Sequence, residues 1–156
     1  MVWQIAITII GAVISGVIVF VCSQIIVQKF VKPYEDFKIL KGKVAFILVM
    51  YAHFYCSPIK ATEEFPAAYI DSRRQASIET RKIAAEVSAF QERIGRKYLG
   101  IPSKKELQEA ASKLIGLSNS FFLTPNGEAH IEGERNRECA ESIRQVLAIQ
   151  TDVKNL

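Results

Sequence analysis

WQIAITIIGAVISGVIVFVCSQIIV, residues 3–27, contains no charged side chain, and the first in the chain is Lys29. An α-helix rises about 1.5 Å per residue, so about 20 apolar residues cross the roughly 30 Å hydrocarbon core of a bilayer. The run therefore reads as a transmembrane helix, with residues 1–28 as a membrane anchor. A cleaved secretory signal needs a basic opening and a small-residue cleavage site. Here Met-Val-Trp-Gln opens the chain and no Ala-x-Ala pattern follows the apolar stretch. A lipoprotein signal needs a small residue before its cysteine, whereas Val21 precedes Cys22.

The lysines predict the orientation, because cytoplasmic flanks carry the excess of Lys and Arg. None precedes the run; Lys29, Lys32, Lys38, Lys41 and Lys43 follow it, against Glu35 and Asp36. The expected topology places the N-terminus outside a bacterial inner membrane and the remainder, residues 29–156, in the cytoplasm. Trp3 would then lie at the outer interface, with Phe30 and Tyr34 at the inner one. The five lysines are candidate contacts for anionic headgroups, each worth about 1 kcal/mol near the surface.

Within the run, Gly11 and Ser15 are small residues four apart, and Ala12 and Gly16 form a second such pair beside them. Small residues at this spacing let two helix backbones approach closely, so these four positions are candidates for helix–helix packing in the membrane. The competing explanation is compositional, since Gly, Ala and Ser are common in spans. Gln4, Ser23 and Gln24 lie near the ends of the run and imply no ion path.

The formal net charge of +4 is concentrated rather than general. Between Lys29 and Lys60 there are six lysines and two acids, which already accounts for it. The remainder nearly cancels: seven bases and six acids over residues 61–100, then seven and eight over 101–156. A nucleic-acid surface would need a basic face on the distal part of the chain, so nucleic acid is not an expected partner. The three cysteines, Cys22, Cys56 and Cys139, are an odd number without metal-like spacing and fit a reducing compartment.

Beyond the anchor the 3.6-residue period recurs in four blocks, and no segment shows the alternation of a β-sheet. The expected class is all-α, one transmembrane helix followed by a small bundle of about four helices. The first block opens at Pro33, a residue suited to a first helical turn. It runs to about Tyr55, with Phe37, Leu40, Val44, Ile47, Tyr51 and Phe54 on one face. No charge interrupts residues 44–59, which raises a rival reading as a second span that would place the rest of the chain outside. Residues 57–72, with Pro58 and Pro66, read as a connector. The second block covers about 71–98, where Ala76, Thr80, Ile83, Val87, Phe90 and Ile94 form a seam too short for a coiled coil. Ser103 and Glu106 make a capping box for the third block. There Leu107, Ala111, Leu114, Leu117 and Phe121 face one way until about Phe122, ahead of the turn signal at 124–127. Residues 128–133 read as a charged loop and about 134–149 as a last helix, with Cys139, Ile143, Val146 and Leu147 on its apolar side.

This order resembles small single-span bacterial membrane proteins. The resemblance rests on the N-terminal span, the helix ending YAHFYCSP, the RKIAAEVSAF helix and GIPSKKELQEAASKLIGLSNSFF. It implies the architecture alone, because those motifs are a cap and apolar repeats; it brings no activity, cofactor, partner or functional residue.

Reactive constellations are sparse. His53, three residues before Cys56, could share a helix face with it as a Cys–His pair or half a metal site, but no second pair completes that site. His130 stands among Glu128, Glu132 and Glu134, where solvent exposure is the default. The eight glycines form neither a phosphate loop nor a dinucleotide fingerprint. The expected function is a non-enzymatic, cofactor-free, membrane-tethered interaction or scaffold module that binds itself or another protein. The alternative is an effector whose oligomerising spans perturb the bilayer, for which the segment 44–59 supplies a second apolar element.

Overall fold

The computed structural model describes residues 1–60, 65–94, 100–123 and 127–149. The chain is all-α and divides into two compact units, Met1–Asp36 and Phe37–Leu156.

The first unit holds α1, Val2–Ile26, and a π-helical turn, Val27–Val31, in which the Lys32 amide reaches back to the Val27 carbonyl. The described side chains of α1 are exposed along its whole length. A soluble domain would bury at least one stripe of so apolar a helix. Among the described residues only the helical run that opens with α1 is long and apolar enough to cross a membrane. The sequence boundary at 28/29 follows the charge, whereas the compact units divide at Phe37, the first buried side chain among the described residues.

α2, Lys32–Met50, begins in the first unit, and within the second it buries Phe37, Leu40, Val44, Ile47 and Leu48. Phe37 stacks on Phe90 at 5.9 Å between ring centres. The helix stops five residues before the expected Tyr55, because Tyr51 leaves helical geometry (φ −104°, ψ 15°) and the chain restarts as α3, Ala52–Cys56. One face of the stretch 44–59 lies in the core: Val44, Ile47, Leu48, Phe54, Tyr55 and Ile59 are buried by protein, while Phe46, Val49 and Met50 are exposed.

α4, Ala67–Arg93, begins four residues earlier than the periodicity suggested, with Pro66 as its N-cap. Its first turn contributes Tyr69 to a tertiary contact that sequence spacing does not register. The seam is buried as expected at Ala76, Thr80, Val87 and Phe90, with Ala84 fully buried and Ile83 only partly. Ile94 is extended (ψ 99°), and the expected continuation to Tyr98 falls outside the described residues. α5, Lys104–Asn119, carries the capping box: the Glu106 amide donates to Ser103 Oγ at 3.3 Å, and the Ser103 amide donates to Glu106 Oε2 at 2.6 Å. Leu107, Ala111, Leu114, Leu117 and Phe121 are all buried. Each fully buried Leu or Phe contributes about 1.5–3 kcal/mol by leaving water.

α6, Ala129–Val146, replaces the loop expected at 128–133. Its buried face is Gly133, Asn136, Ala140 and Ile143, and packing rather than local polarity makes residues 129–133 helical. A Cβ on Gly133 would lie 2.2 Å from the Cys56 carbonyl oxygen, so only glycine lets α6 cross α3 this closely. Asn136 seals the same crossing by donating from Nδ2 to the Tyr55 carbonyl at 2.9 Å. The chain also forms one two-residue parallel bridge, β1 (Ile59–Lys60) beside β2 (Phe122–Leu123), pairing Ile59 with Phe122. The turn expected at 124–127 falls mainly outside the described residues.

Candidate functional site

Two features of the second unit gather polar and aromatic side chains, and the sequence reading named neither. The first is Arg73, which is fully buried. One terminal nitrogen, Nη1, donates to the carbonyls of Phe54 (2.8 Å) and Phe121 (2.7 Å). The other, Nη2, donates to the Ser57 carbonyl (3.0 Å) and the Tyr69 hydroxyl (2.8 Å). The guanidinium also lies 4.8 Å from the Phe54 ring centre and 5.2 Å from that of Tyr69. A buried charge is costly unless hydrogen bonds satisfy it. Here three carbonyls and the Tyr69 hydroxyl serve the two terminal nitrogens, while the buried Nε has no partner; the carbonyls belong to α3, the residue after it and the segment that follows α5. Arg73 therefore ties α3 to the segment after α5 and leaves no terminal N–H aimed at solvent. One signal was available: stepping back three residues from Ala76 along the 4–3–4 seam lands on Arg73.

The second feature is an open groove of about 460 Å³ between α2 and α4, with Gly42, Phe46, Ile47 and Ile83 along it. The Lys43–Glu86 ion pair, 2.7 Å, stands on its rim. Glu79 closes one end, accepting from the Tyr51 hydroxyl and from Gln75 Nε2 at 3.1 Å. Hydrogen bonding to the Glu79 carboxylate raises the Tyr51 phenol to about 12, and the same bond lowers Glu79. Tyr51 is thus neutral at physiological pH and acts as a donor, not a base. Burial likewise raises the Tyr55 phenol and the Cys139 thiol, which makes Cys139 a poor nucleophile at neutral pH. A further open cleft of about 540 Å³ between α5 and α6 is lined by mixed charges, including Lys113, Glu109, Glu132 and Arg135.

The small residues Gly11, Ala12, Ser15 and Gly16 are exposed on α1, and among the described residues nothing outside the helix's own backbone lies within 4 Å of a Cβ built on Gly11 or Gly16. The lysines separate into different environments. Lys29 and Lys32 are exposed in the first unit, and Lys38 is exposed on α2. Lys41 donates to the Ala148 carbonyl and Lys43 pairs with Glu86, so both are held by the bundle. His53 is exposed, with its ring 3.8 Å from that of Phe54, while Cys56 is half-buried. His130 is exposed in the first turn of α6. Among the described residues no group of three or more His, Cys, Asp or Glu side chains is placed to hold a metal ion. No family model, curated protein or solved structure matches this chain.

Proposed function

We propose that the protein is a non-enzymatic scaffold or interaction module anchored in a bacterial inner membrane, with its N-terminus outside and residues 29–156 in the cytoplasm. The observation that carries this reading is α1, a helix without a charged side chain whose described residues are exposed, followed by Lys29 and Lys32. Small residues exposed on α1 suit packing against another span. Lys29, Lys32 and Lys38 suit contact with anionic headgroups, while Lys41 and Lys43 serve the bundle. The effector alternative drew on the glycine-bearing span and on residues 44–59; burial of Val44, Ile47, Leu48, Phe54, Tyr55 and Ile59 by protein favours the scaffold reading. Alkaline extraction of membranes, with reporter fusions at each terminus, tests the proposal. Retention in the membrane with a cytoplasmic C-terminus is expected; release into the soluble fraction sinks it. Loss of membrane potential on expression would transfer the function to the effector reading.

A further inference from the structure

We infer that the turn Val27–Val31 is a hinge built by Pro33, set where the proposed span leaves the membrane. Its place rests on the anchored reading; its action rests on the geometry of the first unit alone. Helical dihedrals continue on both sides of the turn. Ile26 has φ −61° and ψ −49°, and Lys32 has φ −60° and ψ −45°. The helical run from α1 into α2 is therefore unbroken, and Pro33, the second residue of α2, lies inside it. The sequence suited Pro33 to a first helical turn, but no helix begins there.

A proline inside an α-helix acts on the residue four before it, here Lys29. Its ring presses on that carbonyl, and its nitrogen has no hydrogen to donate. The chain responds with a π-helical turn centred on Lys29, in which the Lys32 amide donates to the Val27 carbonyl, five residues back rather than four. Widening the turn does not restore the missing donor. At π spacing residue 33 would serve the Gln28 carbonyl and at α spacing the Lys29 carbonyl; proline serves neither. Sharp bends in helices trace to proline, to glycine or serine pairs, or to π-turns. VQKFV holds no glycine and no serine, so Pro33 is the cause and the π-turn its consequence.

Exposure makes this a hinge rather than a fixed bend. Val27, Gln28, Lys29, Phe30, Val31 and Lys32 are all exposed, and the first buried side chain after them is Phe37. Burial therefore does not set the angle. A segment short of both buried contacts and backbone bonds opens more readily than its neighbours. The same missing donor bears on depth. A carbonyl without an amide is costly in hydrocarbon, whereas water serves it at headgroup level, the level that Lys29 and Lys32 also suit. For an anchored interaction module, a bend here lets the chain beyond Asp36 meet a partner at more than one tilt of the span.

The test uses the full-length protein in vesicles of phosphatidylethanolamine and phosphatidylglycerol, with Cys22, Cys56 and Cys139 replaced by Ser. Spin labels are attached at Val21→Cys and Glu35→Cys, which bracket the turn. A second sample carries them at Ile7→Cys and Val21→Cys, on α1 alone. Both pairs are fourteen residues apart, about 21 Å of α-helix. The bracketing pair should give a distance distribution at least about twice as broad as the α1 pair, as a kinked turn without packing requires. Pro33→Ala should narrow it to the width of the α1 pair and leave the thermal midpoint of the bundle unchanged. Equal widths with Pro33 present overturn the hinge, and breadth that survives Pro33→Ala overturns proline as its cause. Vesicle flotation reports on anchoring separately. Protein left in the soluble phase removes the anchored reading, while the label widths measured on that same protein still decide the hinge.

Discussion

Arg73 shows how one side chain can organise a bundle. A planar guanidinium reaches the Phe54, Ser57 and Phe121 carbonyls together, whereas a lysine ammonium is a point donor on a thinner stem. Arg73→Lys is therefore expected to destabilise the bundle nearly as much as Arg73→Met. The loss should be roughly 3 kcal/mol or more, since each buried acceptor left unpaired costs about 1–3 kcal/mol. Denaturant unfolding followed by far-UV circular dichroism reads this, and a Lys variant within 0.5 kcal/mol of wild type, about the spread of neutral surface changes, would refute it. The Tyr51–Glu79 bond predicts a pH dependence at the same scale. Glu79 lies below its ordinary 4.5, so the stability it contributes is present above pH 4.5 and is lost as pH falls through the lower folded value. Tyr51 is raised from 10.0 to about 12, so its contribution is full below pH 10 and lost as pH rises through 12. The stability gap between wild type and Tyr51→Phe should thus be widest between these limits and close at both ends. A gap independent of pH would show that the hydroxyl acts through packing alone. Arg73 was legible only as a step on the α4 seam; Tyr51 was legible as a core aromatic, but Glu79, 28 residues away, was not.

Helices in this protein begin and end where partners allow. The capping box at Ser103 is local chemistry, and α5 starts where its sequence says. The start of α6 is not local. Residues 128–133 are polar and glycine-bounded, yet Ala129–Gly133 is helical, with Gly133 against the Cys56 carbonyl. Gly133→Ala improves helix propensity by about 1 kcal/mol but forces a backbone atom to yield. Overpacking costs about 1–3 kcal/mol, so the substitution should lower the thermal midpoint by several degrees; a rise would mean that α6 shifts freely over α3. α1 behaves differently, because its described side chains are exposed. Gly11→Leu with Gly16→Leu should leave the thermal midpoint of the bundle unchanged while weakening span–span association. A reporter of transmembrane helix pairing reads this, and an unaltered signal would remove the small residues from the interface.

For the whole molecule, the distribution of charge carries more information than its total. The excess of lysine lies beside the span, and the distal residues are near neutral. If that asymmetry sets topology, replacing Lys29 and Lys32 with Gln and adding lysines beside Trp3 should send the C-terminus of a fraction of the molecules outside. Terminal reporter fusions measure that fraction, and an unchanged orientation would assign topology to the bundle itself. What the sequence determined alone is whatever depends on near neighbours: the apolar run, the lysine flank, the all-α class, the α4 seam and the Ser103 cap. Each is read within a few helical turns, through hydrophobic period, dipole and capping geometry. Only the tertiary structure decided that one face of residues 44–59 is buried by protein, that Arg73 gathers the Phe54, Ser57 and Phe121 carbonyls and that Gly133 permits a helix crossing. It alone also revealed the bridge between Ile59 and Phe122. These depend on atoms that meet across tens of residues, where burial makes an unpaired carbonyl or an extra methyl costly and no local pattern records the partner.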